Sequence, residues 1–140
     1  MKGSWYVIAC TILVGAASIS CGPSNRSGVG PSSGLPRGST FGSLTNAQAV
    51  VLCDWTNARQ GGYGRNVTCT DGSTQTTDPN QAECVAAVPT AGSYCPTLTV
   101  GDAEDCANAV LTDLCTLPNQ AACANVNACI NSVPAPAQGG

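Results

Sequence analysis

Ten cysteines and no histidine set the chemistry open to this 140-residue chain. A nucleophilic thiol, serine or threonine needs a general base, and imidazole, the commonest one, is absent. Zinc and thioredoxin-like sites use close pairs such as C-x-x-C. Here Cys53, Cys69, Cys84, Cys95, Cys106, Cys115, Cys123 and Cys129 stand singly, with at least five residues between neighbours. That spacing is the pattern of disulfide staples. The acidic trio Asp102, Glu104 and Asp105 has the oxygen atoms that calcium takes. No regular ligand loop surrounds it, and negative charge in the first turn of a helix explains it more simply. Asp71-Gly72-Ser73-Thr74 also clusters oxygens, but a turn accounts for all of them. No phosphate loop and no nucleophile elbow occurs. The reading is therefore no catalytic residue, no metal and no cofactor. Two aromatic residues, Trp55 and Tyr63, are candidate recognition residues, because Gly61-Gly62 and Gly64 would let Tyr63 project beside Trp55. The plainer alternative is a helix stop followed by a ring that covers a small core. Asp54 with Arg59 or Arg65 would form a surface ion pair, which contributes little.

The elements that must carry these residues are mostly helical. Thr45 and Gln48 have the spacing of a capping box, followed by Val51, Trp55 and Ala58 at helical intervals, and Gly61-Gly62 ends the run. Asp78-Pro79-Asn80-Gln81 predicts a second start, with Asp78 as cap and Pro79 at the first helical position. That helix should stop near Val88, before Pro89. A third opens at Thr99 and places Ala103, Cys106, Ala107, Val110, Leu111 and Leu114 on one face. A fourth starts near Pro118 and runs through Cys123 and Val126 towards Cys129. Between the first two, Val67–Thr70 and Ser73–Thr76 flank Asp71-Gly72, the signal of a β-hairpin. The expected fold is mainly α: a small disulfide-stapled bundle of about four short helices with one short β-hairpin.

Residues 43–132 form the expected cysteine-rich module. It holds only fifteen Val, Leu and Ile, with Trp55, Tyr63 and Tyr94 as its aromatic residues. Such a core is marginal for the size, and four disulfides at about 2–4 kcal/mol each would offset the deficit. Eight cysteines allow roughly a hundred pairings. One guess joins Cys69 to Cys84; Cys123 and Cys129 would pair locally or tie back to Cys53. Residues 22–42 are two-thirds Gly, Pro and Ser, a composition that buries too little surface to order. Residues 21–42 are thus expected as a flexible linker spanning about 25 Å, with Arg26 and Arg37 as solvated charges, and residues 133–140 as a loose tail.

The amino-terminal 20 residues read as an export signal: Lys2, an apolar run from Trp5 to Ile19 too short for a comfortable membrane span, then small residues. Ser18-Ile19-Ser20-Cys21 resembles the lipobox of bacterial lipoproteins, departing from it at Ser18, where Leu is usual. The resemblance implies cleavage before Cys21, with a thioether-linked diacylglycerol on its sulfur and an N-linked, palmitate-type acyl chain. Gly22 after the cysteine implies outer-membrane sorting. The alternative is an ordinary signal cut after Ala17 and a secreted chain. Cysteine parity favours lipidation, since eight downstream cysteines can all pair whereas nine cannot. As a whole, with "AVVLCDW", "GGYG" and "TVGDAEDCANAV", the chain is similar in style to small cysteine-rich lipoproteins of myxobacteria, a resemblance that implies no activity.

Charge narrows the partners. The chain is acidic, with formal net charge −3, and loss of Lys2 with the leader leaves four arginines against eight carboxylates. Nucleic-acid binding needs basic stripes, and none exists. The leading expectation is a membrane-anchored, non-enzymatic envelope module that binds a protein or glycan partner. The alternatives are a carrier of small apolar ligands, architecturally similar to plant lipid-transfer proteins but without their adjacent cysteines, and an inhibitor-like extracellular module.

Overall fold

The computed structural model describes residues 30–132. The signal segment, Cys21, Arg26 and the tail after Ser132 lie outside the described residues. Helix α1 spans Asn46–Arg59, α2 Gln81–Tyr94, α3 Val100–Val110 and α4 Ala124–Ser132. Short 3-10 turns cover Phe41–Ser43, Leu114–Asn119 and Ala121–Cys123. Strands β1, Asn66–Thr68, and β2, Thr74–Thr76, pair antiparallel with Val67 opposite Gln75. The described residues are mainly helical with one hairpin, as the sequence predicts. No helix among the described residues is long and apolar enough to cross a membrane.

The α1 start forms as its cap spacing dictates: the Gln48 amide donates to the Thr45 hydroxyl at 3.3 Å, and the Thr45 amide donates to Gln48 Oε1 at 2.9 Å. Its buried side is Ala49, Leu52, Cys53 and Trp55, so Val51, 43% exposed, and Ala58 face outward. Gly61 and Gly62 both take positive φ and reverse the chain after Arg59. In α3 the Thr99 hydroxyl accepts from the Asp102 amide, and the Thr99 amide donates to the Asp102 carboxylate at 2.9 Å. This helix ends at Val110. Leu111 turns out at φ +48 and is exposed, while Leu114 is buried from the next turn. The expected continuous face through Leu111 and Leu114 is corrected accordingly.

The second helix differs more. Asn80, not Asp78, is the cap, accepting from the Glu83 amide at 3.0 Å. The helix does not stop at Val88 but passes through Pro89 to Tyr94. A proline removes one backbone bond at a cost of about 3 kcal/mol, which the last turn offsets by packing. Gly92 lies against Gly42 so closely that an added Cβ would sit 2.4 Å from the Gly42 nitrogen. Pro118 lies inside a 3-10 turn, and α4 begins only at Ala124.

Residues 30–42, expected as part of a free linker, are packed. Phe41 N donates to Leu98 O at 3.0 Å, and the amides of Val100 and Gly101 donate to Ser39 O and Arg37 O at 2.9 and 2.8 Å. Helix α3 begins with amide groups that have no intrahelical acceptor, and this strap supplies acceptors for two of them. Composition rules weigh apolar burial, and the strap is fixed mainly by polar bonds. Arg37, expected as a solvated charge, is paired (below).

Among the described residues four disulfides form: Cys53–Cys84, Cys69–Cys115, Cys95–Cys129 and Cys106–Cys123. The guessed Cys69–Cys84 bond is not formed, because Cys84 faces α1 and the hairpin reaches the 3-10 turn at Cys115. Cys123 and Cys129 pair neither with each other nor with Cys53. Three of the bonds each anchor a separate buried cluster. Cys53 packs with Ala49 and Val88, Cys95–Cys129 with Leu98, and Cys106–Cys123 with Val110 and Leu114. The fourth pins the hairpin, which two strands alone would not stabilise.

Candidate functional site

The acidic trio separates into three structural roles. Asp102 closes the α3 capping box and accepts from Asn125 at 2.8 Å. Burial raises its pKa, and the bonds from Thr99 and Asn125 bring it below the ordinary carboxylate value. Asp105 is held by Arg37 Nη2 at 2.7 Å, with both side chains about half exposed. Glu104 is fully buried, and its Oε1 accepts from the Ser33 amide at 2.6 Å, the Ser33 hydroxyl at 2.7 Å and the Ser32 hydroxyl at 3.0 Å. Arg37 Nη1 reaches Oε2 at 2.9 Å. Burial alone would raise this carboxyl, but the four donors hold it below its usual value. These carboxylates fasten the strap to α3.

The candidate recognition pair is not presented as a pair. Trp55 is only 6% exposed, its indole N–H donates to Gly30 O at 2.9 Å, and the Arg59 guanidinium lies 5.9 Å from its ring centroid. It is a buried ring under the strap, which corrects the expectation of a contact residue. Tyr63 is half-buried and donates to Asp54 Oδ1 at 2.9 Å; burial and that carboxylate both push its hydroxyl pKa up. Asp54 accepts also from Gln81 rather than from Arg59 or Arg65. Arg59 bonds Asn108, and Arg65 bonds the Gln60 carbonyl. Asp71 accepts from the Ser73 amide and hydroxyl at 2.9 and 2.7 Å, which closes the hairpin turn and lowers its pKa.

What the structure brings together is a cavity of about 240 Å³ between the helices. Leu52, Cys53, Thr56 and Gln60 of α1 form one wall; Cys84, Ala87, Val88 and Ala91 of α2 form another; Ala103, Cys106 and Ala107 of α3 form a third. Phe41, Leu98, Leu117 and Val126 complete the apolar lining, and Asp78 adds a carboxylate. Ala87 is exposed and marks the rim. The void has a sequence cause. Ala87/Ala91 and Ala103/Ala107 are one-turn pairs that stack on one face of each helix, and methyl groups there cannot fill the space that leucines would. All three buried clusters contribute to the lining, so the cavity sits where a single continuous core would otherwise form. Cys53–Cys84 ties two walls together at a Cα–Cα distance of 6.0 Å, and Cys106–Cys123 braces the third. Cavity walls otherwise tend to relax inward.

The lining is polar only through Thr56, Gln60 and Asp78. Asp78 accepts from Asn57 Nδ2 at 2.9 Å. Neither the Thr56 hydroxyl nor the Gln60 carboxamide bonds another described side chain or backbone group. Of the lining residues only Ala103, Cys106 and Ala107 stand on a face that the sequence predicts; the i, i+4 alanines of α2 and α3 are the sequence signal of the space between them and α1. A second, more open depression of about 380 Å³ lies between Tyr94–Leu98 and α4. Comparison of the chain with family models, with curated proteins and with solved structures finds no match.

Proposed function

We propose that this protein is an exported, lipid-anchored module of the cell envelope that binds rather than catalyses, and that its ligand is a small apolar molecule held in the central cavity. The observation that carries the binding reading is the 240 Å³ space walled by Leu, Val, Ala and Phe. An apolar cavity of roughly 150 Å³ suffices to hold benzene and stays dry when empty. Burial of hydrocarbon there is worth about 25 cal/mol per Å². The absence of histidine from the chain supports binding over turnover. The anchor rests on Ser18-Ile19-Ser20-Cys21 and on the parity of the downstream cysteines. Attachment through two or three acyl chains would be effectively permanent, leaving the module to sample its ligand at the outer-membrane surface. Among the alternatives, the apolar-ligand carrier gains most from this geometry. The protein-or-glycan reading loses Trp55 as a surface contact.

The test is to isolate the chain from its own envelope, with and without Ala87→Phe, and to identify small molecules extracted from each. The proposal expects an apolar compound near one equivalent in the parent, depleted in the variant whose rim is blocked. Equal lipid traces in both would overturn it. Intact mass of the same preparation reads the anchor: acylation at Cys21 supports it, and a free amino-terminal thiol contradicts it.

A further inference from the structure

The cavity has one polar side, and that side has a sign. Resting on the binding reading above, we propose that the ligand is an amphiphile of about ten heavy atoms, scaled from benzene in roughly 150 Å³, whose head donates hydrogen bonds and carries no negative charge. It seats that head against Thr56, Gln60 and Asp78.

Three independent features give the sign. The first is the Asp78 carboxylate in the lining, which leaves Oδ1 open because the Asn57 amide occupies Oδ2. The second is the position of Thr56 and Gln60 in the last turn and C-cap of α1. The carbonyls of Thr56, Asn57, Ala58 and Gln60 already accept from Gln60, Gly61, Gly62 and Arg65, so the side chains supply the acceptors, while the negative end of the helix dipole disfavours an anion there. The third is the composition of the lining, which contains no lysine or arginine. Of the two arginines at that end, Arg59 bonds Asn108 and lies against the Trp55 ring, and Arg65 donates to the Gln60 carbonyl; neither lines the cavity. A carboxylate head would therefore enter a region of negative potential with no cationic partner, and burying an unpaired charge is strongly unfavourable. A hydroxyl or ammonium head meets acceptors. Thr56 and Gln60 have unused hydrogen-bonding capacity, so the head gains bonds without breaking any within the module.

The experiment is calorimetric titration of the oxidised full chain carrying Cys21→Ser, which removes the acylation position, with 1-octanol, octylamine and octanoate in one matched buffer. Octanol and octylamine should bind at least about tenfold more tightly than octanoate, a difference of about 1.4 kcal/mol. Thr56→Val should weaken octanol and leave octanoate unchanged. Asp78→Asn should bring octanoate to within about threefold of octanol. Ala87→Phe should abolish binding of all three. Octanoate binding as tightly as octanol, with Ala87→Phe still blocking both, overturns the head-group assignment and leaves the cavity reading standing. No binding of any of the three, or binding indifferent to Ala87→Phe, overturns both.

Discussion

Glu104 shows how a single buried charge can decide where a domain begins. Its four donors come from Ser32, Ser33 and Arg37, so the carboxylate joins α3 to a strap some 70 residues earlier in the chain. Glu104→Gln keeps the shape but places an amide N–H₂ among donors, and should cost about 2–3 kcal/mol in chemical denaturation. Asp105→Asn, at a half-exposed pair, should cost less than about 1 kcal/mol. Acid should act in the same direction. The folded-state pKa of Glu104 lies below its ordinary 4.5. The stability contributed by the ionised form is thus fully present above that ordinary value and is lost as pH falls through the folded one. As pH falls below that ordinary value, the Ser33 amide should lose its protection, measured against the intrinsic exchange rate at each pH, before α1 or α3 opens. Little of this is legible in sequence. "GDAED" reads correctly as charge at a helix start for Asp102, but the partner of Glu104 is a serine-rich stretch whose composition resembles any linker.

At the scale of elements, caps are the most legible feature because their chemistry is local. Thr45 with Gln48 and Thr99 with Asp102 need only three residues of context, and both boxes form. The end of α2 is not legible, because what carries it past Pro89 is a contact with Gly42 about fifty residues away. Gly92→Ala tests that contact directly. Alanine is intrinsically the better helix former by about 1 kcal/mol, yet here its Cβ would collide with backbone. The variant should be destabilised by about 1–3 kcal/mol, with loss of protection at the Phe41 amide. The hairpin depends on Cys69–Cys115 and on Val67 packing under it. Removing both cysteines as Cys69→Ala with Cys115→Ala should expose the amides of residues 66–76 to exchange and leave α1 and α2 protected.

Across the whole molecule, the thin apolar inventory and the number of cysteines imply that sulfur bonds must stabilise the fold, and this much reads from composition. Their pairing does not, because it depends on which helices meet in space. The consequence of the pairing is a divided core: three small clusters, each built around one disulfide, with a cavity at their junction. Reduction should unfold the module, seen as loss of its helical circular dichroism at ambient temperature, since each bond is worth about 2–4 kcal/mol against a total stability of similar order. The cavity itself is tested most directly by xenon, which enters dry apolar spaces without regard to head-group chemistry. In methyl NMR spectra of the oxidised chain under xenon pressure, the signals of Ala91, Ala103, Ala107, Val88 and Leu98 should shift together and saturate. Shifts scattered over the surface, or none at these methyl groups, would contradict a molecule held open around a binding space.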